Sequence, residues 1–133
     1  MIVGIPKEIK DNEQRVSLTP FGVSELVKLN NIVYVQKNAG IGSGFSDDDY
    51  INSGAYLLDT LEDVYQKSKL IIKVKEPQEN ELKLINSDHI VFTFFHFAAS
   101  EDLTKAVISS GCTAIAYETV QSHDGSLPIL IPM

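Results

Sequence analysis

Four ionisable side chains stand at or just beyond the ends of apolar runs. Arg15 lies in the segment after Ile2 to Ile5, Lys75 follows Leu70 to Val74, His96 follows Ile90 to Phe95, and Glu118 follows Thr113 to Tyr117. In an open parallel sheet, ligands bind outside the carboxyl ends of the strands, where loops and helix N-termini converge. The set suits a small anion with a reacting carbonyl. The planar two-pronged donor set of Arg15 can hold a carboxylate in a way that no lysine reproduces. Lys75, followed by Glu76 and the stiffening Pro77, can polarise a carbonyl oxygen or hold the other carboxylate oxygen. His96 can shuttle a proton near neutral pH, because imidazole titrates in that range. Each residue also has a plainer role open to it. Arg15 can simply be solvated in a polar loop, and Lys75 can snorkel to water from the end of a buried strand. His96, inside Phe94-Phe95-His96-Phe97, can be a core histidine with a backbone partner. Glu118 can be a structural hydrogen-bond acceptor.

These residues need a scaffold, and the hydrophobic pattern supplies one. Ile2 to Ile5, Ile32 to Val35, Leu70 to Val74, Ile90 to Phe95 and Thr113 to Tyr117 read as strands, most of them apolar enough to be buried on both faces of a parallel sheet. Helix signals lie between them. Thr19-Pro20 is an N-cap with proline at the first helical position; Leu26, Val27 and Leu29 form its apolar face, and Asn30-Asn31 ends it. Ser46 before three aspartates opens a second helix that Gly54 closes, and Thr60 caps Leu61 to Lys67. Ser100 opens a helix whose Leu103, Ala106 and Val107 share one face before Gly111. The alternation predicts an α/β, doubly wound, mostly parallel sheet with flanking helices, flavodoxin/Rossmann-like but without a dinucleotide fingerprint. His89 and His123, among polar residues and glycine, are expected at the surface, and Cys112 as a small buried hydrophobe.

Gly40-Ile41-Gly42-Ser43-Gly44 is glycine-rich but is not a nucleotide motif. A dinucleotide loop needs G-x-G-x-x-G between the first strand and its helix, and these glycines follow the second strand with different spacing. They read as a loop with unusual backbone angles. No Walker loop, zinc-ligand spacing or G-x-S-x-G elbow occurs.

Length and charge narrow the class further. The chain has 133 residues, 44% of them hydrophobic, enough for one domain with a real core and too few for a second. Eleven basic against eighteen acidic residues give a net charge of -7, which argues against nucleic acid as a partner. No apolar run approaches the roughly eighteen residues of a membrane span. With one cysteine and no secretory pattern at the N-terminus, the chain reads as cytoplasmic. Leu127 to Met133 is apolar apart from its two prolines, a tail expected either to continue into further chain or to pack against a partner.

Several ordered motifs carry a family resemblance. Gly4-Ile5-Pro6-Lys7-Glu8-Ile9-Lys10, Asn12-Glu13-Gln14-Arg15-Val16 and Leu18-Thr19-Pro20 resemble the start of the alanine dehydrogenases and the related transhydrogenase α subunits. Gly40 to Phe45, Lys73-Val74-Lys75-Glu76-Pro77, His96-Phe97-Ala98-Ala99 and Ala116-Tyr117-Glu118-Thr119-Val120 continue in the same register. Lys75 to Pro77 and His96 are typically lacking in the transhydrogenase branch, so the sequence resembles the alanine dehydrogenases more. The resemblance implies reversible NAD-linked oxidative deamination of L-alanine to pyruvate and ammonia. It implies that Arg15 and Lys75 bind the substrate carboxylate and carbonyl, that His96 is the acid/base, and that Leu130 and Met133 enclose the methyl side chain. It also implies a homo-oligomer, hexameric in the family, and an NAD-binding domain that this chain does not contain. On that reading the 133 residues are a truncated N-terminal substrate-binding domain, inactive when isolated. A transhydrogenase α-subunit domain and a stand-alone, non-enzymatic binding or interaction module remain as alternatives.

Overall fold

The computed structural model describes residues 1–130. The apolar runs pair into one six-stranded sheet, parallel throughout, in the order β3-β2-β1-β4-β5-β6. The strands are β1 (Ile2–Ile5), β2 (Ile32–Gln36), β3 (Tyr56–Leu58), β4 (Leu70–Ile72), β5 (Ile90–Thr93) and β6 (Thr113–Ala116). This is the doubly wound order of Rossmann-type sheets. Winding runs outward from β1 to β3, then returns to place β4 on the other side of β1.

Local chemistry sets the helix ends. Thr19 accepts the Gly22 N–H at the start of α1 (Pro20–Lys28), and Ser46 and Asp49 exchange side-chain and backbone bonds at the start of α2 (Asp47–Asn52). Thr60 accepts the Asp63 N–H in α3 (Leu61–Lys67). A short α4 (Glu79–Leu82) follows the loop after β4, and Ser100 accepts the Leu103 N–H in α5 (Glu101–Ser110). Two apolar clusters fill the space around the sheet. Val3, Ile5, Val33 and Val35 pack with Val23 of α1 and Tyr50 of α2; Ile71, Val91 and Phe95 pack with Val64, Leu103 and Val107 of α3 and α5. On area alone, burying one such aliphatic side chain is worth about 1.5–3 kcal/mol.

Four sequence expectations need correction. β3 is missing from them: three residues at the sheet edge, with Tyr56 exposed, form too short and too open a strand to leave a period. The strands at Leu70, Ile90 and Thr113 end one or two residues early. Leu29 is exposed as the C-cap of α1, and Val23 takes the buried position instead. His89 is buried, not superficial. Its Nε2 lies 2.6 Å from the Tyr65 carbonyl, its Nδ1 accepts the Asn86 N–H, and its ring meets Tyr65 edge-on. Cys112 is partly buried against the α3/α5 cluster.

Candidate active site

The winding reverses between β1 and β4, and crevices in such sheets open at that switch point. The segments leaving these two strands carry Arg15 and Lys75. Glu8, buried just beyond β1, reaches across to the end of β4: its Oε2 accepts the Val74 N–H at 3.1 Å and its Oε1 the Lys75 N–H at 3.0 Å. Lys73, fully buried, places its ammonium 3.0 Å from Glu8 Oε1 and 2.9 Å from Glu81 Oε1. Tyr65 donates its hydroxyl to the same Glu81 oxygen at 3.2 Å. Burial pushes the Glu81 carboxyl up despite the Lys73 charge, and burial likewise pushes up the Tyr65 hydroxyl. Sequence reasoning misses Lys73, because one lysine in an apolar run looks like a strand end.

Lys75 is pinned at both ends of its backbone unit. Glu8 accepts its N–H, and Thr93 Oγ1 donates to its carbonyl at 2.9 Å. Lys75 is a half-buried residue whose ammonium has no carboxylate within ion-pair distance among the described residues, whereas Lys10, Arg15 and Lys73 are each paired.

Arg15 is exposed, on the long loop between β1 and α1. Asn12 takes the left-handed conformation there, at φ 65°, which its short amide tolerates. Glu13, almost covered, then grips Arg15 along one edge: Nε donates to Oε2 at 3.0 Å, Nη2 to Oε1 at 2.8 Å, and the Arg15 N–H to Oε2 at 2.8 Å. The Arg15 hydrogen bonds hold the Glu13 carboxyl down at about 2, and the Lys75 charge lowers it further. A small cavity of about 130 Å³ opens beside them, lined by Lys7, Glu8, Glu13 and Arg15 with Asn38 and Gly42.

His96 is exposed at the end of β5 and adopts the left-handed conformation, φ 54° and ψ 44°, uncommon for a side chain with a Cβ. Its backbone N–H donates to Glu118 Oε1 at 2.8 Å, and its ring stacks on Phe94 at 6.2 Å. The Glu118 contact is the structural acceptor role expected for that residue; Glu118 Oε2 is buried without a hydrogen-bond partner among the described residues. Glu76 pairs with Lys10. Burial raises the Glu76 carboxyl, but the bond from Lys10, a backbone bond and the nearby Lys10 and His96 leave it below its ordinary value. His96 and Glu76 line a separate, wider groove with Pro77 and Leu103.

Arg15 lines this cavity with Glu13 and Glu8, Lys75 lies near enough for its charge to act on Glu13 without lining the cavity, and His96 lines a separate groove beside Glu76. Leu130 lies in a turn, 38% exposed, and lines neither recess. Met133 lies outside the described residues. The glycine-rich segment does not form a dinucleotide cradle. The loop between β1 and α1 contains no glycine, and Gly40 and Gly42 are filled by close neighbours: an added Cβ would lie 2.6 Å from the Tyr50 ring and from the Gln14 carbonyl oxygen, respectively. No helix among the described residues is long and apolar enough to cross a membrane.

The family model described as alanine dehydrogenase/PNT, N-terminal domain, matches residues 4–133. The chain belongs to this family. Over all 133 residues it is 47% identical to an alanine dehydrogenase of Methanococcus maripaludis, of which it covers 36%. The structure superposes on a solved L-alanine dehydrogenase with a TM-score of 0.96 at 43% identity, covering 99% of this chain and 36% of that one. A transhydrogenase from Sinorhizobium meliloti is more distant, with a TM-score of 0.83 at 30% identity, covering 89% of this chain and 35% of that one. The chain thus spans about a third of the length of its alanine dehydrogenase relatives, as their N-terminal region. The resemblance drawn from the motifs and the doubly wound fold are both borne out.

Proposed function

We propose that these residues form the substrate-binding domain of an NAD-dependent alanine dehydrogenase, which interconverts L-alanine with pyruvate and ammonia. One observation carries the reading: Lys75, with a pinned backbone and no carboxylate partner among the described residues, stands at the switch point, near enough for its charge to lower the Glu13 carboxyl that grips Arg15. An uncompensated cation held in place is a receptor for an anion, and a small 2-oxo acid supplies both a carboxylate and a carbonyl oxygen for it. In this proposal the open edge of Arg15 and the Lys75 ammonium take the substrate carboxylate and carbonyl. His96 moves the proton that addition of ammonia to the carbonyl carbon demands. NAD is held by a domain outside these 133 residues, in keeping with the lack of a pyrophosphate cradle in the described ones. The proposed enzyme is cytoplasmic and homo-oligomeric, a hexamer in keeping with the family resemblance.

The test is NADH oxidation by the longer protein that contains this chain, measured with pyruvate and ammonium together and with each omitted. Oxidation that requires both and is lost in Lys75→Ala is the expected result. Hydride exchange between nicotinamide nucleotides without pyruvate would assign the protein to transhydrogenation instead.

A further inference from the structure

We infer that Glu13 is a positioning residue for substrate recognition, fixing which edge of Arg15 is offered to the substrate carboxylate; this rests on the reading of Arg15 proposed above. A guanidinium has two edges that can grip a carboxylate in parallel, one made by Nε with an Nη and one made by the two Nη groups. Glu13 fills the first, through Nε to Oε2 at 3.0 Å and Nη2 to Oε1 at 2.8 Å. It also takes the Arg15 backbone N–H on Oε2, so side chain and main chain are locked to one carboxylate. The Glu13 side chain is only 6% exposed while that of Arg15 is 51% exposed. The buried partner is the fixed one, and among the described residues the Nη1 group of the guanidinium has no hydrogen-bond partner. Without Glu13, Arg15 would be a long, solvated side chain on a loop, and ordering it would fall to the substrate.

Charge and geometry predict opposite signs here, which makes the inference sharp. Glu13 is an anion next to a site for an anion, so on charge alone its removal strengthens substrate binding. If Glu13 positions Arg15, its removal weakens binding.

The experiment is steady-state kinetics of the longer protein with Glu13→Ala, Glu13→Gln and Arg15→Ala, read as KM for pyruvate against kcat. The inference expects Glu13→Ala to raise KM about tenfold with kcat within roughly twofold, the effect of weakening one charge-assisted hydrogen bond to the bound substrate. It expects Glu13→Gln, which keeps one acceptor oxygen but not the charge, to raise KM by an intermediate factor. If Glu13→Ala does not fold, Glu13→Gln decides by the sign of its KM change. An unchanged or lowered KM in the Glu13 variants, with KM raised in Arg15→Ala, overturns the inference and leaves the Arg15 reading standing. An unchanged KM in Arg15→Ala overturns that reading and the inference with it.

Discussion

The buried ammonium of Lys73 lies 3.0 Å from Glu8 Oε1, the oxygen that also accepts the Lys75 backbone N–H. One carboxylate thus joins the core ion cluster to the residue proposed to meet substrate. Removing Lys73 strands Glu8 and Glu81 as buried, unpaired acids, and breaking a buried pair from one side costs about 3–5 kcal/mol. Lys73→Met therefore destabilises the domain by roughly that amount, read as a lowered urea midpoint. Glu8→Gln, which keeps an acceptor for one of the two backbone N–H groups, costs less.

This cluster also shows where reading the sequence stops. The caps at Thr19, Ser46, Thr60 and Ser100 are legible because each bond spans three residues. The ionisable residues near the strand ends are legible because the sheet's topology orders them. Lys73 is not, since Glu8 lies 65 residues away and nothing in local spacing records that pairing. The two histidines show the same limit in reverse. His96 sits among phenylalanines yet is exposed, and His89 sits among polar residues yet is buried under the Tyr65 carbonyl, 24 residues away. Local composition reports a neighbourhood in sequence, and burial is decided by neighbours in space.

Acid should weaken the loop between β1 and α1. The folded Glu13 carboxyl titrates near 2 against an ordinary value of 4.5, chiefly through its bonds from Arg15, and Glu76 is lowered by Lys10 against the pull of burial. A lowered carboxyl contributes stability that is present above the unfolded value and lost as pH falls through the folded one. The loss from Glu13 therefore runs from about pH 4.5 down to about 2. Arg15 is half exposed, so solvent screening holds the pair's contribution to about 1 kcal/mol or less. Glu81, raised by burial, works in the opposite sense and gains as it protonates. Thermal midpoints measured across this range should fall less steeply in Glu13→Gln than in the parent.

The left-handed backbone of His96 predicts a division between stability and activity. Glu118 Oε1 holds the exposed His96 N–H at 2.8 Å, so Glu118→Val, which leaves that donor to water, costs about 0.5–1.5 kcal/mol, while Glu118→Gln retains an acceptor and costs less. His96→Asn tolerates the positive φ and should leave the unfolding midpoint close to that of the parent. With the proposed proton transfer removed, kcat of the longer protein should fall by about 100-fold or more in the same variant. Near-normal turnover in His96→Asn would remove His96 from that role.

Gly42 ties the glycine-rich segment to the site through a close approach. A Cβ there would lie 2.6 Å from both the carbonyl oxygen and the side-chain Oε1 of Gln14, the residue between Glu13 and Arg15. The side-chain oxygen can swing away, but the backbone carbonyl moves only with its segment. Ser43 Oγ, next to Gly42, donates to that carbonyl at 3.2 Å, so the two loops are already in register. Gly42→Ala therefore displaces the Glu13–Arg15 pair without touching either side chain. The expected outcome is a raised KM for pyruvate with little change in kcat, the same split expected of Glu13→Ala, and combining the two substitutions should add little. Full additivity, which is the norm for independent sites, would show that the glycine and Glu13 do not act through a shared placement of Arg15.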